Sequence, residues 1–501
     1  MDRFIKAIVN GEPRQERAGS PLSEIIGGEK PCGGHGKCGK CKVWAKGKLS
    51  PPGDAERKLL TKEEFEGGIR LSCCTFAEGD FEAKSIESSS EAQIVTGGKQ
   101  ADFALNPMFE NYGVAVDIGT TTLAARLYDK QGNLLSETSR LNPQSEFGAD
   151  VISRIEAALG GRSEALARAI REALNEIVAE LALNAKIDSK TIDSVVITGN
   201  TVMLSLLTHE DTEPFSHAPF AAKRLFGEVM KASELDLSAI RPDSEIYLPQ
   251  CISAFVGADT VCALLATGLC ECDTAMLVDI GTNGEMAIWH KNRLAVCSTA
   301  AGPAFEGVGI SMGMRGASGA VDKVKLENGE LVAHVIGGGE AIGICGSGLV
   351  DAAACMLECE IVDETGALDD DPFAIKDRVC ITGRDIRMLQ LAKSAICAGL
   401  LTLIENVGLD PEDVPILYIA GGFGNYLNKE SAARIGLLPR ELAENSETVG
   451  NAALVGASIL LLDSDMREKA KNIADSAKTL DLSTDKGFSE RYMLGMMLEE
   501  I

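Results

Sequence analysis

The chain has 501 residues, with 48 Lys and Arg against 74 Asp and Glu, a formal net charge of −26 at pH 7. At roughly 100–200 residues per domain this length calls for several domains, and an apolar share of 45% with 24% charged residues excludes wholesale disorder. The acidic balance argues against non-specific binding to nucleic acid or an anionic membrane surface, both of which select Lys and Arg. The opening residues, Met1-Asp2-Arg3-Phe4-Ile5-Lys6, carry no export signal, and the apolar run Ala452–Leu462 falls short of a span of about 20 residues. A soluble, cytoplasmic chain is expected.

The first 86 residues read as a separate unit. Short β-like pieces, Phe4–Val9 and residues 41–45, surround a Gly-rich loop that holds Cys32, Cys38 and Cys41. Five of the 15 Cys fall between positions 32 and 74, which in a chain without an export signal points to metal ligation rather than disulfides. The spacing C-x5-C-x2-C, with Arg70-Leu71-Ser72-Cys73-Cys74 further on, supplies the four thiolates of a [2Fe–2S] cluster: three from one loop and one from a distant segment. Zinc is the competing reading, but it normally takes two C-x2-C pairs and only one is present. Cys73 and Cys74 both stand as candidates for the fourth ligand. Within the loop, residues 34–39 fit G-x-G-x-x-G, but the interleaved cysteines and missing βαβ unit remove the dinucleotide reading.

Residues 87–110 are polar and turn-rich, the composition of a linker. From 111 the pattern becomes alternating strands and helices. Leu166, Ile170, Leu174, Ile177 and Leu181 recur at helical spacing and predict a helix from about Ser163, as N-cap, to Asn184. The apolar run 194–198 predicts a strand that ends at Gly199-Asn200 before another helix. Asp117-Ile118-Gly119-Thr120-Thr121 is echoed by Asp279-Ile280-Gly281-Thr282-Asn283, each at the same point of a strand–turn–strand pattern. This predicts a duplicated α/β domain with lobes 111–250 and 251–501, the second larger.

No G-x-x-x-x-G-K-[ST] occurs, so a Walker-type site is unsupported. The repeated turns offer another phosphate cradle. Glycine turns expose backbone N–H groups, Thr and Asn side chains add donors, and each Asp can hold Mg²⁺ through water or orient an attacking water. Strand 416–420 ends in Gly421-Gly422, where a flat base or ribose could approach the backbone. Residues 301–307 and 343–348, the latter with Gly346 and Ser347, are read as further strand-to-helix turns. Five such turns point to nucleotide binding.

These turns resemble those of the actin-like, sugar-kinase and heat-shock ATPase superfamily, whose fold is a duplicated ribonuclease-H-like domain closing on ATP. The whole chain, with its N-terminal α+β ferredoxin-like domain, resembles the reductive activators of corrinoid proteins. The motifs that carry this are Cys-Gly-Gly-x-Gly-x-Cys-Gly-Lys-Cys at 32–41, Arg-Leu-x-Cys at 70–73, Asp-Ile-Gly-Thr-Thr at 117–121 and Thr-Gly-Asn-Thr-Val-Met at 198–203. Ala-Ala-Gly-Pro-Ala-Phe-Glu-Gly at 300–307, Gly-Ile-Cys-Gly-Ser-Gly-Leu at 343–349 and Ala-Gly-Gly-Phe-Gly at 420–424 complete the set.

The resemblance implies an ATP-hydrolysing iron–sulfur oxidoreductase that passes one electron to a Co(II) corrinoid and restores Co(I) for methyl transfer. Its cofactors would be a [2Fe–2S] cluster, ATP and Mg²⁺. Its partners would be the corrinoid protein of a methyltransferase system and a low-potential electron donor, with neither nucleic acid nor membrane, and a homodimer is compatible with it. Ferredoxin-like domains use the position of Cys73, so Cys32, Cys38, Cys41 and Cys73 are the implied ligands. Asp117 and Asp279 would manage Mg²⁺ and water. Gly119, Thr120, Thr121, Gly281, Thr282 and Asn283, with Gly346 and Ser347, would hold phosphates, and Gly421 and Gly422 the adenosine. A plant-type cluster lies near −400 mV, the implied cobalt couple lies lower, and each 59 mV of uphill gap costs about 1.4 kcal/mol. ATP would offset that gap.

Three rivals remain at this stage. A small-molecule kinase on the same fold has no use for a cluster. An electron carrier with a regulatory nucleotide site would transfer electrons without ATP. The activating ATPase of 2-hydroxyacyl-CoA dehydratases places its cluster cysteines inside the ATPase fold, whereas here they precede it.

Overall fold

The computed structural model describes residues 3–27, 34, 36, 39, 41–86 and 96–501. It divides into two compact units, residues 1–90 with 143–169, and residues 91–142 with 170–501.

In the first unit, β1 (Phe4–Val9), β2 (Glu12–Arg17), β3 (Lys42–Leu49), β4 (Ile69–Leu71) and β5 (Ala77–Ser85) form one sheet in the order β2-β1-β5-β3-β4. Strand β1 alternates in period two, which sends Ile5, Ala7 and Val9 into a core with Leu22, Val43 and Phe81. The β1–β5 pair is parallel and the other pairs are antiparallel. The predicted strands at 4–9 and 41–45 are thus both present.

The second unit contains the predicted duplication. Strands β6 (Tyr112–Ile118), β7 (Thr122–Asp129) and β8 (Leu134–Leu141) form an antiparallel meander, extended by parallel β9 (Ile192–Gly199). With β10 (Glu228–Lys231) and β11 (Glu245–Leu248) the order is β10-β11-β9-β6-β7-β8. Strands β12 (Thr274–Ile280), β13 (Gly284–His290) and β14 (Arg293–Thr299) repeat the meander. Strands Leu417–Ala420 and Ser446–Gly450 then take the parallel places of β9 and β11. Between the two sheets run the helices Ala258–Thr267 and Ala452–Leu462, which share one core with Ala115 and Val196 on one side and Leu277 and Ala420 on the other. Every residue of Ala452–Leu462 is buried, which explains a helix apolar on all faces: it lies inside the core rather than on its surface.

Two expectations are corrected. Ser163 does not cap its helix: it already has helical angles, because the preceding helix Val151–Ala157 continues through a π turn (Ala158–Arg162) kinked at Gly161. Residues 301–307 are not a strand-to-helix turn, since β14 leads only into the 3-10 turn Pro303–Glu306. Of the expected linker, the described part runs along the second unit, with Ala101 N–H donating to Ala266 C=O (2.7 Å) and Asn106 N–H to Leu462 C=O (2.8 Å). Among the described residues one helix, Gly383–Asn406, is long and apolar enough to cross a membrane; 78% of its apolar window is buried within the fold.

Candidate functional site

Both Asp-Ile-Gly-Thr turns open onto one cavity of about 270 Å³ in the second unit. Asp117, Gly119, Thr120, Thr121, Asp279, Gly281, Thr282, Asn283, Gly346, Ser347, Gly421 and Gly422 all line it. They arrive from the β6–β7 and β12–β13 turns, the start of helix Gly346–Glu358, and the end of strand Leu417–Ala420. Sheet pairing makes this possible: β12 lies parallel to Leu417–Ala420 with Asp279 beside Ala420, so the glycines after Ala420 fold over the carboxylate. Gly421 has φ +91°, and a Cβ there would stand 2.5 Å from Asp279 Oδ1, so only glycine lets the turn close on Asp279.

The two turns are built alike. Gly119 N–H bonds Thr122 C=O and Gly281 N–H bonds Asn283 C=O, each at 2.9 Å. The glycine N–H groups therefore close their own turns, and the donors that face the cavity come from the hydroxyl and amide side chains that follow. Glu306 joins the turns: Thr121 Oγ1 donates to its Oε2 at 2.6 Å and Thr282 Oγ1 to its Oε1 at 2.8 Å. Asn451 Nδ2 donates to Asp117 Oδ2 at 3.0 Å, and Asn200 Nδ2 to Thr120 Oγ1 at 3.2 Å.

Five carboxylates line this cavity: Asp117, Asp259, Asp279, Glu285 and Glu306. Burial pushes Asp117 up to about 7; the Asn451 bond opposes the shift and the Asp279 charge adds to it. Burial and then the Asp259 charge push Asp279 up to about 7. Asp259 and Glu285 are raised by the same two causes, burial first and neighbouring carboxylates second. Like charges so close cannot all ionise in a low-dielectric pocket unless a cation joins them. An all-oxygen donor set suits a hard ion such as Mg²⁺. Among the described residues no three His, Cys, Asp or Glu side chains converge to hold a metal unaided, whereas Mg²⁺ ordinarily takes one or two carboxylates together with phosphate oxygens and water. The residues fit that ion.

Asp259, Glu285, Asn451 and Arg315 carried no expectation from sequence. Asp259 sits in the first turn of the apolar helix Ala258–Thr267 and Glu285 within the apolar strand β13. A lone acid in an otherwise apolar element was the available signal. Arg315, the one basic residue that lines the cavity among those described, stands in an irregular loop with no periodicity to expose it.

In the first unit, Cys41 and Cys73 are brought together, Sγ to Sγ at 3.1 Å, with Cys74 Sγ 3.5 Å from Cys73. Cys32 and Cys38 lie outside the described residues. Gly36 has φ +65°, and a Cβ there would meet Cys74 Sγ at 2.8 Å, so Gly36 lies against that sulfur in a way only glycine permits. Converging thiols under a close-lying backbone fit an iron–sulfur group. The turn that bears Cys73 is held by Glu56, fully buried. Its carboxylate accepts from Arg70 Nε and Nη2 (2.9 Å each), Leu71 N–H (3.1 Å) and Thr75 Oγ1 (3.0 Å). Burial raises the Glu56 pKa, but these bonds outweigh it and leave the group below its ordinary value.

Comparison with known proteins covers both the middle and the C-terminal parts. Residues 112–271 match the family described as the RACo middle region, and residues 273–501 the C-terminal domain of RACo, the ASKHA domain. The corrinoid activation enzyme RamQ of Eubacterium limosum is 36% identical over 438 residues, 81% of this chain and 73% of that protein. The [Co(II) methylated amine-specific corrinoid protein] reductase of Methanosarcina barkeri is 28% identical over 417 residues, 76% of each. A solved structure of a reductive activator for a corrinoid, iron–sulfur protein superposes with a TM-score of 0.72 at 27% identity, spanning 99% of this chain and 98% of that one. With its paired sheets in the actin-like arrangement, the chain belongs to the family of reductive activators of corrinoid proteins.

Proposed function

We propose that this protein couples ATP binding and hydrolysis in the 270 Å³ cavity to the one-electron reduction of a Co(II) corrinoid protein, which returns the partner's cobalt to Co(I) for methyl transfer. The observation that carries the nucleotide half is the convergence of both repeated turns and the Gly421-Gly422 turn on one acidic cavity. The similarity to named corrinoid activators supports the partner half. A [2Fe–2S] cluster in residues 1–86 would supply the one-electron step, and Mg²⁺ would neutralise phosphate charge.

In this reading Cys41 and Cys73, with Cys32 and Cys38, hold the cluster, and Glu56 fixes the turn that presents Cys73. Residues 111–501 form the two ATPase lobes. Asp117 and Asp279 hold Mg²⁺ and its water, with Asn451 orienting Asp117. Thr120, Thr121, Thr282, Asn283 and Ser347 grip phosphate oxygens, while Gly119, Gly281 and Gly346 let them approach. Arg315 adds the positive charge that a phosphoryl group develops need of in its transition state. Gly421 and Gly422 lie against the adenosine. Glu285 and Asp259 keep the inner wall acidic, which favours a divalent cation over a bare nucleotide. A low-potential electron donor would supply the electrons that a cluster held by these cysteines would pass on.

The test is anaerobic: pre-reduced protein is mixed with a Co(II) corrinoid protein, and the Co(I) absorption band is followed with and without Mg-ATP. Co(I) that appears only with ATP supports the proposal. Equal Co(I) without ATP would make the chain an electron carrier with a regulatory nucleotide site. Failure with every corrinoid partner tried would overturn the partner half.

A further inference from the structure

We propose that Glu306 is the residue by which the cavity distinguishes a nucleoside triphosphate from a diphosphate, by competing with the terminal phosphate for the hydroxyls of Thr121 and Thr282. This rests on the nucleotide reading above. The two hydroxyls belong one to each Asp-Ile-Gly-Thr turn, and both donate to the same carboxylate, at 2.6 and 2.8 Å. A hydroxyl has one hydrogen to donate. A phosphate that lies between the turns and takes those hydrogens must therefore displace Glu306, and the negative charges of phosphate and carboxylate repel at that range. In this proposal the terminal phosphate of a triphosphate lies between the two turns, and a diphosphate in the same register leaves the Glu306 bridge in place.

The neighbourhood of Glu306 makes its displacement consequential. Its turn is tied to the second phosphate turn by Gly302 N–H donating to Thr282 C=O at 2.9 Å. The adjacent Phe305 stacks on Phe423 with ring centroids 4.5 Å apart and planes at 19°, next to Gly421 and Gly422. The main chain of this turn is thus anchored on both sides of Glu306, which yields by side-chain rotation. Loss of its bridge then removes a carboxylate link between the turns and substitutes a phosphate link, so the closure of the two lobes is reported only for the triphosphate.

The experiment measures Mg-ATP and Mg-ADP affinities by titration calorimetry for the full chain and for Glu306→Ala and Glu306→Gln, with thermal unfolding as a check on folding. The expected result is tighter ATP binding in both variants, by about 10-fold for Glu306→Ala, equal to about 1.4 kcal/mol, while ADP affinity stays unchanged. Equal changes for ATP and ADP would assign Glu306 a merely structural role and overturn the inference. Weaker ATP binding would make it a nucleotide ligand and also overturn it. If the unaltered chain binds ADP and ATP and only the inference fails, the nucleotide reading survives; if neither nucleotide binds the unaltered chain, that reading falls and takes this one with it. The Gln variant, nearly isosteric, keeps the comparison available should the Ala variant unfold.

Discussion

Asn451 reaches across 334 residues to donate from Nδ2 to Asp117 Oδ2 at 3.0 Å. Its Oδ1 meanwhile accepts from Leu454 N–H at 2.8 Å and caps the buried helix Ala452–Leu462. One amide thus joins the start of a core helix to the first Asp-Ile-Gly-Thr turn. The two duties separate by substitution. Asn451→Asp keeps the cap, since Asp caps as well as Asn, but sets a carboxylate against Asp117. It should leave the unfolding midpoint close to that of the unaltered chain and cut ATP hydrolysis by at least about 10-fold, or 1.4 kcal/mol of barrier. Asn451→Ala should lose the cap as well, at about 0.5–2 kcal/mol. Denaturant melts paired with phosphate-release rates check both; full hydrolysis by the Asp variant would remove Asn451 from the site.

Asp279 lies under the Gly421 turn and is raised to about 7 by burial and the Asp259 charge. Asp279→Asn relieves that repulsion, so the fold should be no less stable, while Mg-ATP-dependent cobalt reduction should fall by about 100-fold or more. The visible spectrum of the cluster should not change. Cobalt reduction that persists in the variant would refute the role given to Asp279.

For the cluster, the geometry separates the two adjacent cysteines by test. Cys73 stands 3.1 Å from Cys41, so Cys73→Ser and Cys41→Ser should each lose the cluster's visible bands and most of the bound iron, and Cys74→Ser should retain them. Iron content and absorption after anaerobic purification decide it, and the reverse pattern would assign the fourth ligand to Cys74. Glu56→Ala removes a fully buried carboxylate and leaves the largely covered Arg70 guanidinium without its ion-pair partner. Breaking such a pair costs about 3–5 kcal/mol, so this variant should also lose its iron by unfolding the turn.

Lys393 on the helix Gly383–Asn406 is fully buried and donates to Met497 C=O. Burial lowers it from 10.5 to about 8, with Cys397 and Glu499 pulling it partly back. The unfolded chain keeps this proton up to about pH 10.5 while the fold releases it near 8, so within that window the unfolded state binds more protons and stability rises with pH. Relative to Lys393→Met, the unaltered chain should gain stability from pH 8 to 10.5, by at most about 3 kcal/mol. Urea unfolding of both proteins at the two pH values measures it, and a flat difference contradicts the burial.

Much of the site was legible from sequence because its parts are local. The two Asp-Ile-Gly-Thr turns and the Gly421-Gly422 turn, which line one cavity, are each built within a few residues, where spacing and glycine are visible in the chain. The duplication was legible for the same reason, as both copies repeat strand–turn–strand within their own stretch. Residues whose roles depend on partners far along the chain were not. Glu306 stands 185 residues from Thr121, and nothing in its turn indicates that its carboxylate bridges the two Asp-Ile-Gly-Thr turns. Asp259 and Asn451 look like a first-turn acid and a helix cap until the sheets bring both beside Asp117. The helix at 163–184 was correctly placed, but its start was not, because the π turn before it has no periodic signature. The sequence by itself determined where the glycine turns and the clustered thiols stand, since those follow from local backbone freedom and side-chain chemistry. Only the tertiary structure decided which carboxylates share one low-dielectric cavity, because their mutual charge depends on distances that parallel strand pairing sets between segments hundreds of residues apart.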